Sequence, residues 1–270
     1  MATGDLLKHA GAAPVVIGAT GGSGTRALRK VLEIGGVFMG DAVNVTGDAM
    51  AFEPLYDQYI NAVLTETGGL DYRADTLSTA LRRALVEGLR AAANRHLSGS
   101  WTVGAPWGWK TPRAMYLLPM IAEVFPQFQF IHVIRDGRDM ATAGNQLQRD
   151  KHAAALFGAA DGDPRVTAAR LWAKANGEAA DWAARRMLGR YHRVIFETLC
   201  REPEIEIGRL FVALDLPLSR VAPAARLIDR PDSIGRWQRL DAHTQNTIDG
   251  VIAVARRRFG FAPAGRSGDT

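Results

Sequence analysis

From Gly18 to Arg26 the chain reads Gly-Ala-Thr-Gly-Gly-Ser-Gly-Thr-Arg, a composition suited to holding an anion. Glycines let a backbone curl and approach a ligand closely. If a helix starts at the end of such a loop, its unpaired N–H groups and its dipole favour negative charge there. Ser23 and Thr25 add hydroxyl donors, and Arg26 places a cation in the first helical turn. A tight strand-to-helix turn made of small residues is the plainer reading, but it leaves the serine, threonine and arginine unexplained.

Several anions fit such a loop. A Walker loop needs Gly-Lys-Ser/Thr after its fourth spacer residue. Here Gly24 is followed by Thr25 and Arg26, so the lysine and the magnesium-binding hydroxyl are missing. Gly18, Gly21 and Gly24 also satisfy the Gly-x-x-Gly-x-x-Gly spacing of short-chain dehydrogenases. Those enzymes carry a Tyr-x-x-x-Lys pair for proton transfer, and none of the five tyrosines here has a lysine four residues on. A second basic segment, Ile134-Arg135-Asp136-Gly137-Arg138-Asp139, follows an apolar run. An arginine at the carboxyl end of a parallel strand faces the ligand crevice of an open α/β sheet, and its planar fork suits phosphate. A salt-bridged turn, with Arg135 and Arg138 paired to Asp136 and Asp139, accounts for the same residues equally well.

These segments require particular elements to position them. Pro14–Gly18 is a Val/Ile-rich run closed by glycines and reads as a buried parallel strand. Ser23–Ile34 carries Ala27, Leu28, Val31 and Leu32 on one helical face, and Gly35-Gly36 stops it. Val37–Met39 is expected to be a second strand, with helix around Phe52–Leu64 and again over Ala74–Leu97. Trp101–Trp109 is expected to be a short strand and turn. A helix is expected from Pro112 to Val124, and Phe128–Ile134 is the clearest strand of the chain. Further helices are predicted over Gly137–Asp150, Val166–Leu188, Glu204–Leu214 and Asp241–Phe259, with a strand at Arg193–Phe196. The small, polar stretch Ala153–Pro164 reads as a loop over a site. Alternating strands and helices predict an α/β fold, a mostly parallel sheet with helices on both faces.

The chain has 270 residues, 47% of them hydrophobic, which fits one large α/β domain over residues 1–270. About ten residues at the start and about eight at the end are expected to fray. The formal charge of +5 favours anionic ligands, yet it is too dispersed to indicate nucleic acid. Cys200 is the single cysteine, which rules out an internal disulfide, suits a reducing compartment and points to a structural role. No uncharged apolar run approaches the ~18 residues of a membrane span, and a cytoplasmic location is expected. No cluster of His, Cys and Asp has metal-ligand spacing, so no metal is expected.

Taken together, the order of these segments resembles the PAPS-dependent sulfotransferases, which use 3′-phosphoadenosine 5′-phosphosulfate as donor. The resemblance rests on the strand, the Ser23-Gly24-Thr25 loop, the helix and the later strand ending in Arg135-Asp136-Gly137-Arg138-Asp139. Lys110-Thr111-Pro112-Arg113 looks like the family's Lys-x-Pro segment before a helix. Trp172 with Asn176, Phe196-Glu197-Thr198-Leu199 followed by Pro203, Ser233-Ile234-Gly235-Arg236-Trp237, and Phe259-Gly260-Phe261 look like its later landmarks. The likeness covers Val15–Phe261 and is nearest to bacterial members acting on small molecules, lipids or sugars. It implies a P-loop-like sulfotransferase architecture, a hydroxyl-bearing small-molecule, lipid or carbohydrate acceptor, and self-association as a homodimer.

Carried over by resemblance, Gly21, Gly22, Ser23, Gly24, Thr25 and Arg26 bind the 5′-phosphosulfate, and Arg135 binds the 3′-phosphate. Two positions depart from the family pattern. Gly22 stands where a basic residue is expected, and Ala143 stands where a serine assists the 3′-phosphate arginine. Sulfuryl transfer then needs a cation on the bridging oxygen and a base for the acceptor hydroxyl. Lys110 or Arg26 is the candidate cation, and Asp48 or Glu53 the candidate base. His132 reads as a satisfied core histidine, while His9 and His152 fall in expected loops. Trp101, Trp107 and Trp109 could line a cleft or fill a core. Two further readings stand beside this one: an NAD(P)-binding oxidoreductase of short-chain type, resting on the glycine loop alone, and a catalytically inactive nucleotide-binding protein, motivated by Gly22 and Ala143.

Overall fold

The computed structural model describes residues 5–11, 13–158 and 162–261. Four parallel strands form the described sheet: β1 (Val15–Ala19), β2 (Gly108–Lys110), β3 (Gln129–Ile134) and β4 (Tyr191–Ile195), in the order β2-β1-β3-β4. Alternation along β1 sends Val16 to one face and Val15, Ile17 and Ala19 to the other. Both faces are covered, as all-parallel sheets demand. Helices α1 (Thr25–Ile34), α2 (Glu53–Thr67), α3 (Thr79–Leu97), α4 (Leu118–Val124), α5 (Gly137–Ala141), α6 (Leu147–Phe157) and α7 (Pro164–Arg186) follow in chain order. They are succeeded by α8 (Phe196–Arg201), α9 (Pro203–Ala213), α10 (Val221–Ala225) and α11 (Ala242–Arg258). Side chains of α2, α3, α4 and α7 pack with Val16 and Phe130, while those of α1, α9 and α10 pack with Ile17, Ile131 and Val133.

Several elements differ from the sequence expectation, each for a local reason. Val37–Met39 forms no strand; Phe38 makes a single bridge to Trp107, and only Gly108–Lys110 of the tryptophan-rich stretch joins the sheet. The long helix begins at Thr79, because Leu77 and Ser78 are extended and a separate 3-10 turn occupies Ala74–Thr76. Pro112–Leu117 is a 3-10 helix leading into α4. The stretch expected as one helix over Gly137–Asp150 breaks at residues 142–146. There the Thr142 hydroxyl donates back to the carbonyls of Arg138 and Asp139 (3.0 and 3.2 Å), and the Gln146 amide closes on Met140 and Ala143. The expected loop Ala153–Pro164 is half helix, since α6 runs to Phe157; its residues 159–161 lie outside those described. Phe196 opens α8 rather than ending a strand. Most of the expected frayed ends also falls outside the described residues, although Leu6–His9 forms a 3-10 turn.

A buried ionic cluster ties the last helix to the sheet. Asp136, the residue after Arg135, accepts the Arg138 backbone N–H (2.9 Å) and guanidinium (2.8 Å) and faces Arg256 of α11 at 3.5 Å. Asp249 accepts from Arg256 at 2.9 Å. Removing one partner of a buried pair leaves an uncompensated charge. Asp136→Ala is therefore expected to cost about 3 kcal/mol, read as a lower urea midpoint at unchanged slope. That figure is the low end of the usual range because Asp249 stays close to both arginines.

Candidate active site

β1 ends at Ala19 and the chain curls through Thr20–Gly24 before α1 begins. Gly22 and Gly24 hold φ of +88° and +86°, where side chains are strained. Gly24 is the N-cap of α1, and a Cβ there would also collide with the Phe196 ring. The open helix N-terminus thus sits at the carboxyl end of the central strand pair, the position the loop reading required. Ser23 is fully buried and donates its proton to the Thr20 carbonyl (2.7 Å), so its hydroxyl fixes the curl. Thr25 is buried, whereas Arg26 is exposed. Gly21 faces the amide ends of Gln148 and Asn145.

Beside the loop, β2 ends on Lys110, which is 1% exposed. Its ammonium donates to the Thr46 carbonyl (2.8 Å) and pairs with Asp48. Burial pulls the Lys110 ammonium below its ordinary value and Asp48 opposes that shift; Arg29 and Arg26 of α1 add to the depression. Arg29 has its own partner in Glu33 at 2.6 Å, so Asp48 is the carboxylate that answers Lys110. Glu53, the first residue of α2, gives Oε2 to the buried Arg113 (2.5 Å), which also grips Asp57 at 2.6 Å. Lys151 of α6 pairs with the same Asp57. Among the described residues Glu53 Oε1 is buried without a hydrogen-bond partner. The two carboxylates proposed from sequence thus occupy different settings. Both Asp48 oxygens are engaged by Lys110, Asn44 and Thr46, while one Glu53 oxygen is buried with no hydrogen-bond partner among the described residues.

At the end of β3, Arg135 is 3% exposed. Its guanidinium donates to Asp139 (3.3 Å) and to the Ser233 hydroxyl (3.1 Å), and it lies over the Phe196 ring at 5.4 Å. Its backbone carbonyl accepts from the Trp172 indole (2.9 Å). Among the described residues Arg135 Nε has no partner. The salt-bridged-turn reading is part of this arrangement, with Arg135 on Asp139 and Arg138 on Asp136. Asp139 also accepts the backbone N–H groups of Gly235 (2.8 Å) and Trp237 (3.3 Å), which folds residues 233–237 over Arg135. Burial, with Arg135 close by, pulls the Arg236 guanidinium below its ordinary value. Holding two guanidiniums together against their repulsion is a feature of anion sites. Ala143, in the break after α5, offers only a methyl group; the hydroxyl next to Arg135 comes from Ser233.

Other candidates fall away from this edge. His132 is fully buried between Tyr191 (3.0 Å) and Asn176 (3.0 Å), and burial lowers it to about 4. Trp107 and Trp109 are core residues, Trp109 stacking on Phe52 at 4.3 Å. His152 lies in α6, bonded to Asn61 at 2.7 Å. Cys200 is half-buried against the Asp229 carbonyl. A cavity of about 620 Å³ opens at the amino end of the strands, around Pro14, Trp107 and Gln127, and shares no residue with the loop. A narrower cleft lined by Thr20, Gly21, Arg149 and Trp172 adjoins the loop instead. Among the described residues no group of His, Cys, Asp and Glu gathers to hold a metal ion.

A family model described as "Sulfotransferase family" matches residues 14–220. The chain belongs to the sulfotransferase family. A comparison with curated proteins finds no match. The solved sulfotransferase STF9 from Mycobacterium avium is similar in fold, with a TM-score of 0.57 at 14% identity, over 97% of this chain and 80% of that one. The sulfotransferase domain from the curacin biosynthetic pathway is similar at a TM-score of 0.50 and 15% identity, over 95% and 94% of the two chains.

As a sulfotransferase, the chain has the expected α/β architecture: a parallel sheet flanked by helices, with the glycine loop, Lys110 and Arg135 brought to its carboxyl edge. The matched segment contains the loop, Lys110 and Arg135, whereas Ser233 and Arg236 lie beyond it. From sequence, the Ser233–Trp237 segment carries only a resemblance and no role. Its Ser-Ile-Gly-Arg-Trp composition was the available signal, but pairing to Arg135 across 98 positions is invisible without the fold. Arg113, the partner of Glu53, was missed in the same way, although it adjoins the Lys-x-Pro segment.

Proposed function

We propose that this sulfotransferase moves a sulfuryl group from PAPS to a hydroxyl of a small-molecule, lipid or carbohydrate acceptor. The observation that carries the reading is the convergence of two separate cationic seats on one sheet edge. One is the α1 N-terminus with Lys110, Arg26 and Arg29, and the other is Arg135 with Arg236 and Ser233. A nucleotide carrying phosphate at both its 3′ and 5′ positions matches two such seats. The buried, partner-free Nε of Arg135 and the absence of a side chain at Gly22 fit this group.

When bound, the donor supplies a sulfuryl group joined to phosphate through a bridging oxygen. The backbone of Gly21–Arg26 receives the phosphosulfate, and Arg135, Ser233 and Arg236 hold the 3′-phosphate. Lys110 has three N–H donors, two of them used by Thr46 and Asp48, and the third meets charge on the bridging oxygen. Lys110 thereby fills the role left open at Gly22. Glu53 Oε1 accepts the acceptor hydroxyl's proton as that oxygen bonds to sulfur and the bridging S–O bond breaks. Arg113 holds Glu53 in place, and Asp48 serves Lys110.

Thermal unfolding with adenosine 3′,5′-bisphosphate, NADPH and ATP in parallel tests the donor. The bisphosphate at about 100 times its Kd is expected to add about 2.7 kcal/mol, a rise of roughly 5–8 °C. Stabilisation by NADPH in its place would revive the oxidoreductase reading of the glycine loop.

A further inference from the structure

Lys110 is a buried cation whose neighbours on α1 repel it, so something must hold its ammonium in place. That device is a five-residue turn, Asn44-Val45-Thr46-Gly47-Asp48, organised by one side chain. Asn44 Oδ1 accepts three donors: the Thr46 N–H (3.0 Å), the Thr46 hydroxyl (2.7 Å) and the Asp48 N–H (2.9 Å). Asn44 Nδ2 donates to Asp48 Oδ2 at 3.2 Å. The Asn44 carbonyl accepts from Gly47, and its own N–H donates to the Asp48 carbonyl. The Asn44 amide thus fixes both groups that receive Lys110, the Thr46 carbonyl and the Asp48 carboxylate.

The turn is also anchored to the lysine it serves. Ala49 N–H donates to the Lys110 carbonyl at 2.9 Å, and Val43 bridges Ala49 at the base of the turn. Gly47, at φ +79°, packs its α-carbon against the Arg26 and Arg29 side chains, where an added Cβ would lie 3.4 Å from Arg29 Cδ. The turn is therefore packed between the Arg26 and Arg29 side chains of α1 and the end of β2.

We infer that Asn44 is a positioning residue for sulfuryl transfer, acting through Asp48 and Thr46 to aim the Lys110 ammonium. The inference rests on the reading of Lys110 as the cation of the reaction, while the geometry it invokes is independent of the donor's identity. Asparagine is specific in this role. Alanine removes all four side-chain hydrogen bonds. Aspartate keeps the acceptor oxygen that organises the turn, but sets a second carboxylate against Asp48 where the amide donated.

The charged groups facing Lys110 are Asp48 from the turn and Arg26 and Arg29 from α1. A carboxylate beside an ammonium favours the charged form, so loss of it lowers the lysine's titration midpoint and added negative charge raises it. The test is a titration of the lysine ε-carbons by NMR in protein labelled with ¹³C-lysine, with the Lys110 signal assigned by its absence in Lys110→Met. Asn44→Ala is expected to lower the Lys110 midpoint by about one pH unit, a tenfold change in proton affinity, and Asn44→Asp to raise it. Adenosine 3′,5′-bisphosphate stabilisation is measured on the same samples and should survive in both variants. Movement of both variants in the same direction, or of neither, overturns the positioning role, whatever the bisphosphate does. Loss of bisphosphate stabilisation in the wild type, with the opposed midpoint shifts intact, would sink the donor reading and leave the turn's geometry standing. Asn44→Asp retains the turn's acceptor, so it answers the question even if Asn44→Ala unfolds.

Discussion

Lys110→Met is expected to slow sulfuryl transfer by roughly 10³-fold while leaving adenosine 3′,5′-bisphosphate binding within about threefold of wild type. The separation follows from where the lysine sits. Its buried ammonium is held at the end of β2 by Asp48 and Thr46, beside the loop but away from the Arg135 seat. In the proposed reaction it supplies charge where charge develops, a transition-state effect that is expected in kcat more than in KM. Methionine keeps the apolar stem that packs in the sheet edge and removes only the charge. Asp48 remains bonded to Asn44 and Thr46, so it is not stranded. Turnover of PAPS with any working acceptor, or its slow hydrolysis with water as acceptor, supplies the rate. An equal loss of bisphosphate affinity in Lys110→Met would place the lysine on the nucleotide rather than on the reacting bond.

Arg135→Ala produces the opposite pattern. Stabilisation by adenosine 3′,5′-bisphosphate, about 2.7 kcal/mol at 100 times Kd for the wild type, is expected to vanish at the same ligand concentration. The guanidinium is 3% exposed, lies on an aromatic ring and holds Ser233 and Asp139, which tie it to residues 233–237, the strap that carries Arg236. A charge-assisted bond from such a site is worth more than one at the surface, and losing it also loosens the strap's seat. Asp139 still accepts from Gly235 and Trp237, so the unliganded protein folds and its own unfolding midpoint serves as the baseline. The measurement is the ligand-induced shift in unfolding temperature, wild type against variant. A full shift retained in Arg135→Ala would move the 3′-phosphate elsewhere.

Much of the fold was readable because its signals are local. β1 and β3 are continuous apolar runs, and α1 carries Leu28, Val31 and Leu32 on one buried stripe. β2 was obscured because three residues pair with β1 inside a tryptophan-rich stretch whose other aromatics are simply core. The break at residues 142–146 was missed because it is made by side chains, Thr142 and Gln146, closing on the backbone of the turn before. The placement of the glycine loop and of Arg135 at strand ends was legible from the apolar runs before them. What joins them to a working site was not. Asn44's turn, Arg113 on Glu53 and Ser233 on Arg135 are contacts between residues that only the folded chain brings together. Ala143 and Gly22 looked like losses in the sequence. The fold sets a Ser233 hydroxyl on Arg135 and brings the Lys110 ammonium to the end of β2, next to β1.

The strap that Asp139 folds over Arg135 has a consequence for how the protein comes into being. Synthesis runs from the N-terminus, and a chain that has emerged only through β4 already contains the glycine loop, Lys110 and Arg135. It lacks Ser233, Arg236 and the two backbone N–H groups that Asp139 receives. The closure spans close to a hundred positions, the kind of long-range contact that forms late because its loop entropy must be overcome first. On the donor reading proposed above, the 3′-phosphate seat is therefore complete only after residues 233–237 have been made, and a chain ending at β4 is expected to gain no stability from the bisphosphate.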